Sequence, residues 1–335
     1  KTKSEKVIDA EEEKLTNGLI KVTREGKSVV YVVKGHGEHD PASTDRAGFS
    51  EAKAAMEKAN YEVRELLLVR TPKVPEDAAV VILPGPKNDL FPAELQALDA
   101  YIARGGKVLF MADPFQAAGL KGYLAKYGVT LGDDLIIDRL SRAFGGDFVV
   151  PAIFQYDDHP ITKGFGNTLT FFPLTRSVGV GAKPPKGVAA QTLAKSGPGS
   201  WGETSRAELD TGAVAQDAKD TPGPLPVAAA ATIEAANPPE GKKDGKARIV
   251  VFGTSNLASN QFLNVQGNKD FFLNAVSWLA EEEALIAIRP KEGKQTPVIL
   301  TANQGQMIFW LPVIVLPLAV MLSGVVVMVR RRSSR

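Results

Sequence analysis

The chain has 335 residues, with 40 basic and 38 acidic side chains, a formal net charge of +2 and no cysteine. The lack of cysteine excludes a disulfide framework, a thiolate metal site and a cysteine nucleophile. The near balance of charges is not the basic footprint that nucleic acid requires, so we expect no nucleic-acid partner.

The first part of the chain alternates the patterns of strand and helix. After a charged linker over residues 1–18, strands are predicted at 19–22, 28–33, 61–68, 79–83 and 107–111, and helices at 45–60, 92–105 and around Leu120 and Leu124. The run at 79–83 is continuously apolar, which is typical of a strand buried on both faces of a parallel sheet. The alternation predicts an α/β fold with a doubly wound, mostly parallel sheet.

The pattern changes after Val129. Strand candidates at 135–137, 148–156 and 169–172 indicate a β-rich insertion, and the prolines and glycines between 181 and 246 require loop in parts of that segment. The α/β pattern returns with a strand at 248–252, a helix at 268–281 and a last strand at 285–288. We therefore predict one discontinuous domain over residues 19–290, with a loop-rich insertion at about 130–246.

An apolar run near the C-terminus, residues 308–329, contains no ionisable side chain. At ~1.5 Å per residue a helix of this length reaches roughly 33 Å, which is enough to cross a hydrocarbon core of ~30 Å. Pro312 and Pro317 lie in its first half, where they can kink the helix, and Trp310 lies where an interfacial aromatic belongs. We predict a C-terminal transmembrane helix that follows a linker at 291–307.

The charges beside this run predict its orientation. Arg330, Arg331 and Arg332 follow it directly, so the positive-inside rule places the tail at 330–335 in the cytoplasm. The large domain is then expected in the periplasm or at the cell exterior, anchored in a bacterial inner membrane with lipid as one partner. Because the chain starts at Lys1, we expect a truncated or processed form.

Loops at the carboxyl ends of parallel strands are the expected place for a ligand. The candidate residues of this crevice are His36, Glu38, His39, Asp113, Ser255 and Asn256. The first loop offers four possible metal ligands between positions 36 and 40, but side chains so close in sequence rarely all point inward. A polar, glycine-rich loop is the preferred interpretation, and we predict no metal site there.

The sequence gives weak support for catalysis. Gly253-x-Ser255 begins a nucleophile elbow, but position 257 is leucine and all three histidines precede the serine, contrary to the α/β-hydrolase order. Helix capping by Thr254 or Ser255 is the preferred explanation of this corner. No phosphate-loop motif occurs and both G-x-G pairs lack the third glycine of a dinucleotide fingerprint, so we predict no ATPase activity and no cofactor.

Several stretches, taken in order, resemble the auxiliary components of ABC transporters typified by the gliding-motility protein GldG. They are LTNGLIKVTR at 15–24, VYVVKGHGE at 30–38, VVILPGPKNDL at 80–90, DHPITKG at 158–164, SWGET at 200–204, RIVVFGTSNLASN at 248–260 and AIRP at 287–290. The resemblance implies an extracytoplasmic domain with a fold like class I glutamine amidotransferases, tethered beside an ABC-2 type permease and a separate ATPase. It departs from the family where Thr254 and Asn256 replace frequent acidic residues.

The resemblance and the missing catalytic sets lead to one functional expectation. The chain lacks the amidotransferase cysteine, so we expect a non-catalytic subunit that binds a substrate, a carbohydrate or an envelope partner beside the permease. The alternative is a periplasmic carbohydrate-active or hydrolytic enzyme that uses the crevice at His36, Glu38 and Asp113.

Overall fold

A computed structural model of the protein describes residues 27–144, 147–166, 168–212, 214–237 and 245–282, together with 317, 321 and 324. The strands predicted at 19–22 and 285–288 lie outside the described residues. The transmembrane span predicted at 308–329 also lies outside them, apart from positions 317, 321 and 324. Trp310, Pro312 and the tail arginines are therefore outside the described residues too. No helix within the described ranges has the length and apolarity that crossing a bilayer requires.

The described residues form fifteen strands and five α-helices. The strands are β1 (Val29–Val33), β2 (Glu62–Leu66), β3 (Ala78–Pro84), β4 (Lys107–Met111), β5 (Val129–Leu131), β6 (Leu135–Asp138), β7 (Ala152–Ile153), β8 (Gln155–Tyr156), β9 (Thr170–Phe171), β10 (Val178–Val180), β11 (Val188–Lys195), β12 (Ser200–Glu203), β13 (Thr221–Pro222), β14 (Pro226–Glu234) and β15 (Lys246–Phe252). The helices are α1 (Ser50–Lys58), α2 (Pro92–Ala103), α3 (Gly119–Ala125), α4 (Arg206–Thr211) and α5 (Asn268–Leu279). All of them belong to one compact unit.

The central sheet has eight strands in the order β2-β1-β3-β4-β15-β14-β11-β8. The first five are parallel to one another, which confirms an α/β fold with a large parallel component. The chain moves outward from β1 to β2 and then returns to β3 on the other side of β1. The carboxyl ends of β1 and β3 therefore form the switch point at which doubly wound sheets bind ligands.

Helices cover both faces of the parallel strands. Along β1, Val30 and Val32 pack in one core with residues of α1 and α5, while Val29, Tyr31 and Val33 pack in a second core with residues of α2 and α3. Successive strand residues point to opposite faces, so a strand that is buried throughout must contribute to both cores. The result is a three-layer arrangement of helices, sheet and helices.

The insertion contains more strand than the sequence suggested. β14 pairs antiparallel with β15, β11 with β14, and β8 with β11, so the segment at 181–246 extends the main sheet. The expectation of a loose segment was wrong for β11 and β14. Both are rich in alanine, which has a low strand propensity, and their pairing with neighbouring strands decides the structure.

Two predicted boundaries also need correction. The helix expected at 45–60 begins only at Ser50, because the Asp40 carbonyl accepts hydrogen bonds from the amides of Ser43 and Phe49 and holds the preceding residues in a loop. The strand expected at 148–156 is divided into β7 and β8, with Phe154 between them and 40% exposed.

Two residues that are distant in sequence, Ser28 and Glu282, lie at the same edge of the sheet. Ser28, just before β1, donates a hydrogen bond from its hydroxyl to Oε1 of Glu282 at 2.8 Å, and Tyr61 donates to Oε2 of the same carboxylate at 2.6 Å. Ser28 precedes a parallel strand, so this contact lies at the amino ends of the strands. The loops at their carboxyl ends lie on the opposite edge.

Candidate functional site

Four loops meet at the carboxyl edge of the parallel strands, those that follow β1, β3, β4 and β15. The β1 loop supplies His36, Glu38 and His39, the β4 loop supplies Asp113, and the β15 loop supplies Ser255 and Asn256. The amides of Lys87 and Asn88 donate to the His36 carbonyl at 2.9 and 3.2 Å and join the first two loops. All the candidate residues therefore lie at one edge, although they make different contacts.

His36 and Glu38 fix the β1 loop from within. The His36 ring is 4% exposed and its Nε2 lies 2.7 Å from Oε2 of Glu94, while its amide donates to Oε2 of Glu38 at 2.7 Å. Glu94 also accepts from the Phe91 amide at 2.7 Å, so one carboxylate caps α2 and holds the histidine. The sequence signal for Glu94 was its place three residues after Phe91, the N-cap that precedes Pro92.

His39, Ser255 and Asp113 form a continuous chain of hydrogen bonds. Nε2 of His39 lies 2.7 Å from Oγ of Ser255, and Ser255 donates to Asp113 at 2.6 Å from both its hydroxyl and its amide. Nδ1 of His39 contacts the Ala47 carbonyl. His39 precedes Ser255 by 216 residues, but parallel strands bring their loops to one edge whatever their order in sequence.

In the loop after β15, the side chain that hydrogen-bonds to the loop backbone is that of Thr254 rather than that of Ser255. The Thr254 hydroxyl donates to the Pro173 carbonyl at 2.6 Å and accepts from the Asn256 amide at 3.1 Å, whereas Ser255 makes no capping bond. The Asn256 side chain also turns to Thr254, at 3.4 Å. Of the two predicted capping residues, only Thr254 hydrogen-bonds to the backbone of its own loop. The contacts of Asn256 differ from those of the hydrogen-bond chain of His39, Ser255 and Asp113.

Burial sets the electrostatics of the site. Desolvation raises the pKa of Asp113, against the opposing effect of its hydrogen bonds from Ser255 and of the charges on His39 and Lys87. Desolvation also lowers the pKa of Arg176, whose side chain is 3% exposed and donates to the Asp113 carbonyl at 3.2 Å. A buried cation from the insertion therefore lies directly behind the candidate site.

Backbone strain is concentrated next to this site. Phe115 and Ala117, in the β4 loop, have φ values of 59° and 42°, and Leu174, next to the carbonyl that Thr254 binds, has φ of 50°. Such values are uncommon outside glycine and cost of order 1 kcal/mol or more each. Oε1 of Gln116 is also buried with no hydrogen-bond partner among the described residues. No sequence signal indicated these features.

Three exposed side chains lie around the β1 loop at this edge, Val69, Lys87 and Phe91, and we call them the cleft rim. Phe91 is 57% and Val69 47% exposed, and Lys87 is exposed. Gly35 and Gly37, both at positive φ, allow Val69 and Lys87 to lie against the β1 loop, because a Cβ at either glycine would be 3.1 to 3.2 Å from those side chains. Over the described residues, no group of three or more His, Asp or Glu side chains could hold a metal ion.

The β1 loop depends on Asn260 for its conformation. Its amide nitrogen donates to the carbonyls of Ser43 and Asp45 at 3.0 and 2.8 Å, and its oxygen accepts from the Glu51 amide at 2.9 Å. We expect Asn260→Ala to lower the free energy of unfolding by about 2 kcal/mol, since these groups lose their partners. Asn264→Ala is the control, because Asn264 is exposed and its side chain contacts the Glu51 carboxylate, and it should cost under about 0.5 kcal/mol. Equal losses in urea denaturation would contradict the assignment.

Fold and site together define an α/β domain whose candidate residues lie at the carboxyl edge of its sheet, around a buried serine. The chain belongs to the family described as "ABC-type uncharacterized transport system", whose sequence profile matches residues 27–275. This confirms the ABC-transport auxiliary part of the resemblance, whereas the narrower likeness to GldG stays a prediction. No curated protein matches the chain.

One solved structure, with a TM-score above 0.5, supports the fold. The N-terminal domain of mmIFT52 matches with a TM-score of 0.55 at 14% identity, over 75% of this chain and 97% of that domain. A cytoplasmic protein, STM3548 of Salmonella typhimurium, gives a TM-score of 0.43 at 12% identity, over 75% of this chain and 98% of its own. A Thermoplasma acidophilum protein related to GMP synthase gives 0.42 at 11%, over 78% and 98%. At these identities the likeness concerns the fold alone.

Proposed function

We propose that the protein is a non-catalytic, membrane-anchored extracytoplasmic subunit of an ABC-2 type transport complex, similar to the GldG-like auxiliary components. The observation that carries the proposal is the family match over residues 27–275, which spans nearly the whole described body. In this proposal the body lies in the periplasm or at the cell exterior of a bacterial inner membrane, with a glutamine amidotransferase-like fold used for binding. Its partners are a permease and a separate ATPase.

The anchor in this proposal is the apolar segment at 308–329, followed by Arg330, Arg331 and Arg332. The contact between Ser28 and Glu282 supports a simple arrangement of the body. Ser28 and Glu282 lie at the amino ends of the strands, opposite the loops that carry the candidate residues.

The burial of Ser255 favours binding over catalysis. Its side chain is 0% exposed and its hydroxyl already donates to Asp113, so it cannot meet a substrate carbonyl in this conformation. The enzyme alternative is supported by the 2.7 Å contact between His39 and Ser255, which is the contact a hydrolase uses. Ser255→Ala separates the two, because an enzyme would lose turnover while a binding protein would keep its transporter partners.

The cleft rim supports a ligand of carbohydrate or envelope origin. The exposed ring of Phe91 lies edge-on to His36, with centroids 5.5 Å apart, and therefore has a fixed orientation for stacking on an apolar ligand face. Lys87 beside it adds an exposed cation that can donate hydrogen bonds to ligand oxygens. Asn256 stands where the resembling family often has an acidic residue, so ligand recognition at that corner does not depend on a carboxylate.

Affinity purification of the tagged full chain from its host membranes, after mild detergent extraction, tests this function. We expect a permease and an ATPase to co-purify with the full chain, and both to be lost when residues 308–329 are replaced by an unrelated leucine-alanine span. A double variant of the rim, Lys87→Glu with Phe91→Ser, is the matched control and should keep both partners while losing the exterior ligand. A chain that purifies alone as a monomer would contradict the proposal.

A further inference from the structure

The hydrogen bonds of the His39–Ser255–Asp113 chain need one more hydrogen than a neutral His39, the Ser255 hydroxyl and an ionised Asp113 carry together. Nδ1 of His39 contacts the Ala47 carbonyl, which can only accept, so Nδ1 carries a hydrogen. The Ser255 hydroxyl has a single hydrogen, yet its oxygen lies 2.7 Å from Nε2 of His39 and 2.6 Å from Oδ2 of Asp113. Both contacts are hydrogen bonds only if a second hydrogen is present, on Nε2 or on Oδ2.

We propose that these three residues form a latch that is closed by one shared proton and loosens when that proton is lost. The proton lies either on His39, which gives an imidazolium and a carboxylate, or on Asp113, which gives a neutral imidazole and a carboxylic acid. In both forms Ser255 completes two hydrogen bonds. Without the proton, a lone pair of the Ser255 oxygen faces a lone pair of either His39 or Asp113, and one hydrogen bond is lost. Because Ser255 links the two residues in this way, the latch takes up or releases the proton as a unit.

The latch joins three loops that are distant in sequence. His39 follows β1, Asp113 follows β4 and Ser255 follows β15. The amide of His39 also donates to the Pro84 carbonyl at 3.0 Å, and that bond does not titrate. Loss of the proton should therefore release the imidazole from Ser255 without unfolding the loop, which opens the serine and the carboxyl group to the cleft. This inference concerns the isolated chain and does not rest on the proposed transport role.

Other charged groups lie around the latch. Lys87 from the β3 loop and Arg176 from the insertion both act on Asp113. Within the β1 loop, Lys34 pairs with Asp40 at 3.1 Å, next to His39. Glu38 lies on the other side of His39, with its carboxylate on the His36 amide. His36, 2.7 Å from Glu94 in the same loop, is unchanged in every variant below, so a slope that differs between the variants belongs to the latch.

The sign of the pH dependence follows from proton counting. In the unfolded chain the proton is carried by histidine, with a pKa of about 6.5, because aspartate titrates near 3.9. The folded latch keeps the proton to higher pH, because both contacts of the Ser255 hydroxyl need it and the unfolded chain has no such contacts. Above about pH 6.5 the folded state then holds more protons than the unfolded state, so stability falls as pH rises, by up to about tenfold in the unfolding constant per pH unit.

Urea unfolding of the full chain in mild detergent, followed by tryptophan fluorescence between about pH 6 and 9, tests the latch. Asp113→Asn is the informative variant, because its amide nitrogen supplies a fixed donor to Ser255 and its oxygen still accepts from the Ser255 amide. We expect this variant to lose the slope of stability against pH that the wild type shows. Asp99→Asn, which changes an aspartate bonded to Tyr127 elsewhere on the surface, should keep the wild-type slope.

An Asp113→Asn protein with the same slope as the wild type would overturn the inference. If that variant does not fold, His39→Gln provides the second test, because it removes the imidazole from the same group and should also abolish the slope. A His39→Gln protein that retains the wild-type slope would overturn the inference equally. Neither outcome depends on a transporter partner, so failure here is distinguishable from failure of the proposed function.

Discussion

Gly85→Ala should lower the free energy of unfolding by about 3–5 kcal/mol, the largest effect we expect from adding one methyl group. Gly85 has φ of +75°, and a Cβ there would lie 2.4 Å from Oγ of Ser255 and 2.6 Å from Oδ2 of Asp113. Ser255 is buried and its hydroxyl is hydrogen-bonded to Asp113, so neither atom can move aside without breaking the latch. Backbone strain and overpacking therefore add together. Urea denaturation at a fixed pH measures the loss.

Two other glycines separate these contributions. Gly212 has φ of +69° with nothing within 4 Å of its Cβ position, so Gly212→Ala should show backbone strain alone, about 1–2 kcal/mol. Gly122 lies inside α3 with open space around it, and Gly122→Ala should be neutral or stabilise by up to about 1 kcal/mol. A Gly85→Ala protein no less stable than Gly212→Ala would show that the close approach to Ser255 is absent.

Local patterns predicted the elements of the parallel half well. The apolar run Lys107–Met111 is β4 as expected, and α2 begins at Pro92, where proline needs no amide partner, and ends just before Gly105, which has φ of +89°. These elements are set by residues within a few positions of each other. A single sequence contains that information directly.

The antiparallel half could not be predicted in the same way. Residues 228–231 of β14 are four alanines, at most 2% exposed, and their strand form depends on pairing with β15 on one side and β11 on the other. Neither partner is adjacent in sequence to the alanines. Pairing of this kind leaves no periodic signal in a segment made of one small residue type.

The position of the site could be predicted from the sequence, but the contacts between its side chains could not. Loops at the carboxyl ends of parallel strands share one edge of the sheet, so the strand pattern in the sequence predicts that His36, His39, Asp113 and Ser255 lie there together. Which side chains pair depends on loop geometry, so the role of Glu94 as the partner of His36 went unrecognised. Whether these residues bind a ligand stays a proposal.

Arg176→Met should lower the free energy of unfolding by about 3–4 kcal/mol, because it removes a buried cation with several acceptors. The guanidinium donates through Nε to the Gly132 carbonyl at 2.7 Å and through NH1 to the Asp113 carbonyl at 3.2 Å, and it pairs with Asp133 at 3.2 Å. Methionine fills a similar volume but takes the guanidinium donors away from two partly buried carbonyls, at about 1–3 kcal/mol each. Urea denaturation monitored by far-ultraviolet circular dichroism measures the loss.

Arg206→Met is the matched control, because Arg206 is exposed and stacks on Phe115, with its guanidinium carbon 4.5 Å from the ring centre and a long 3.4 Å hydrogen bond to the Phe115 carbonyl. It should cost under about 1 kcal/mol. Arg176→Lys tests the geometry, since an ammonium keeps the charge but cannot form the same planar fork, and it should recover only part of the loss. If Arg176→Lys were as stable as the wild type, charge alone would account for the residue. If Arg176→Met lowered the free energy of unfolding no more than Arg206→Met, the Arg176 side chain would not be what stabilises the insertion against the site.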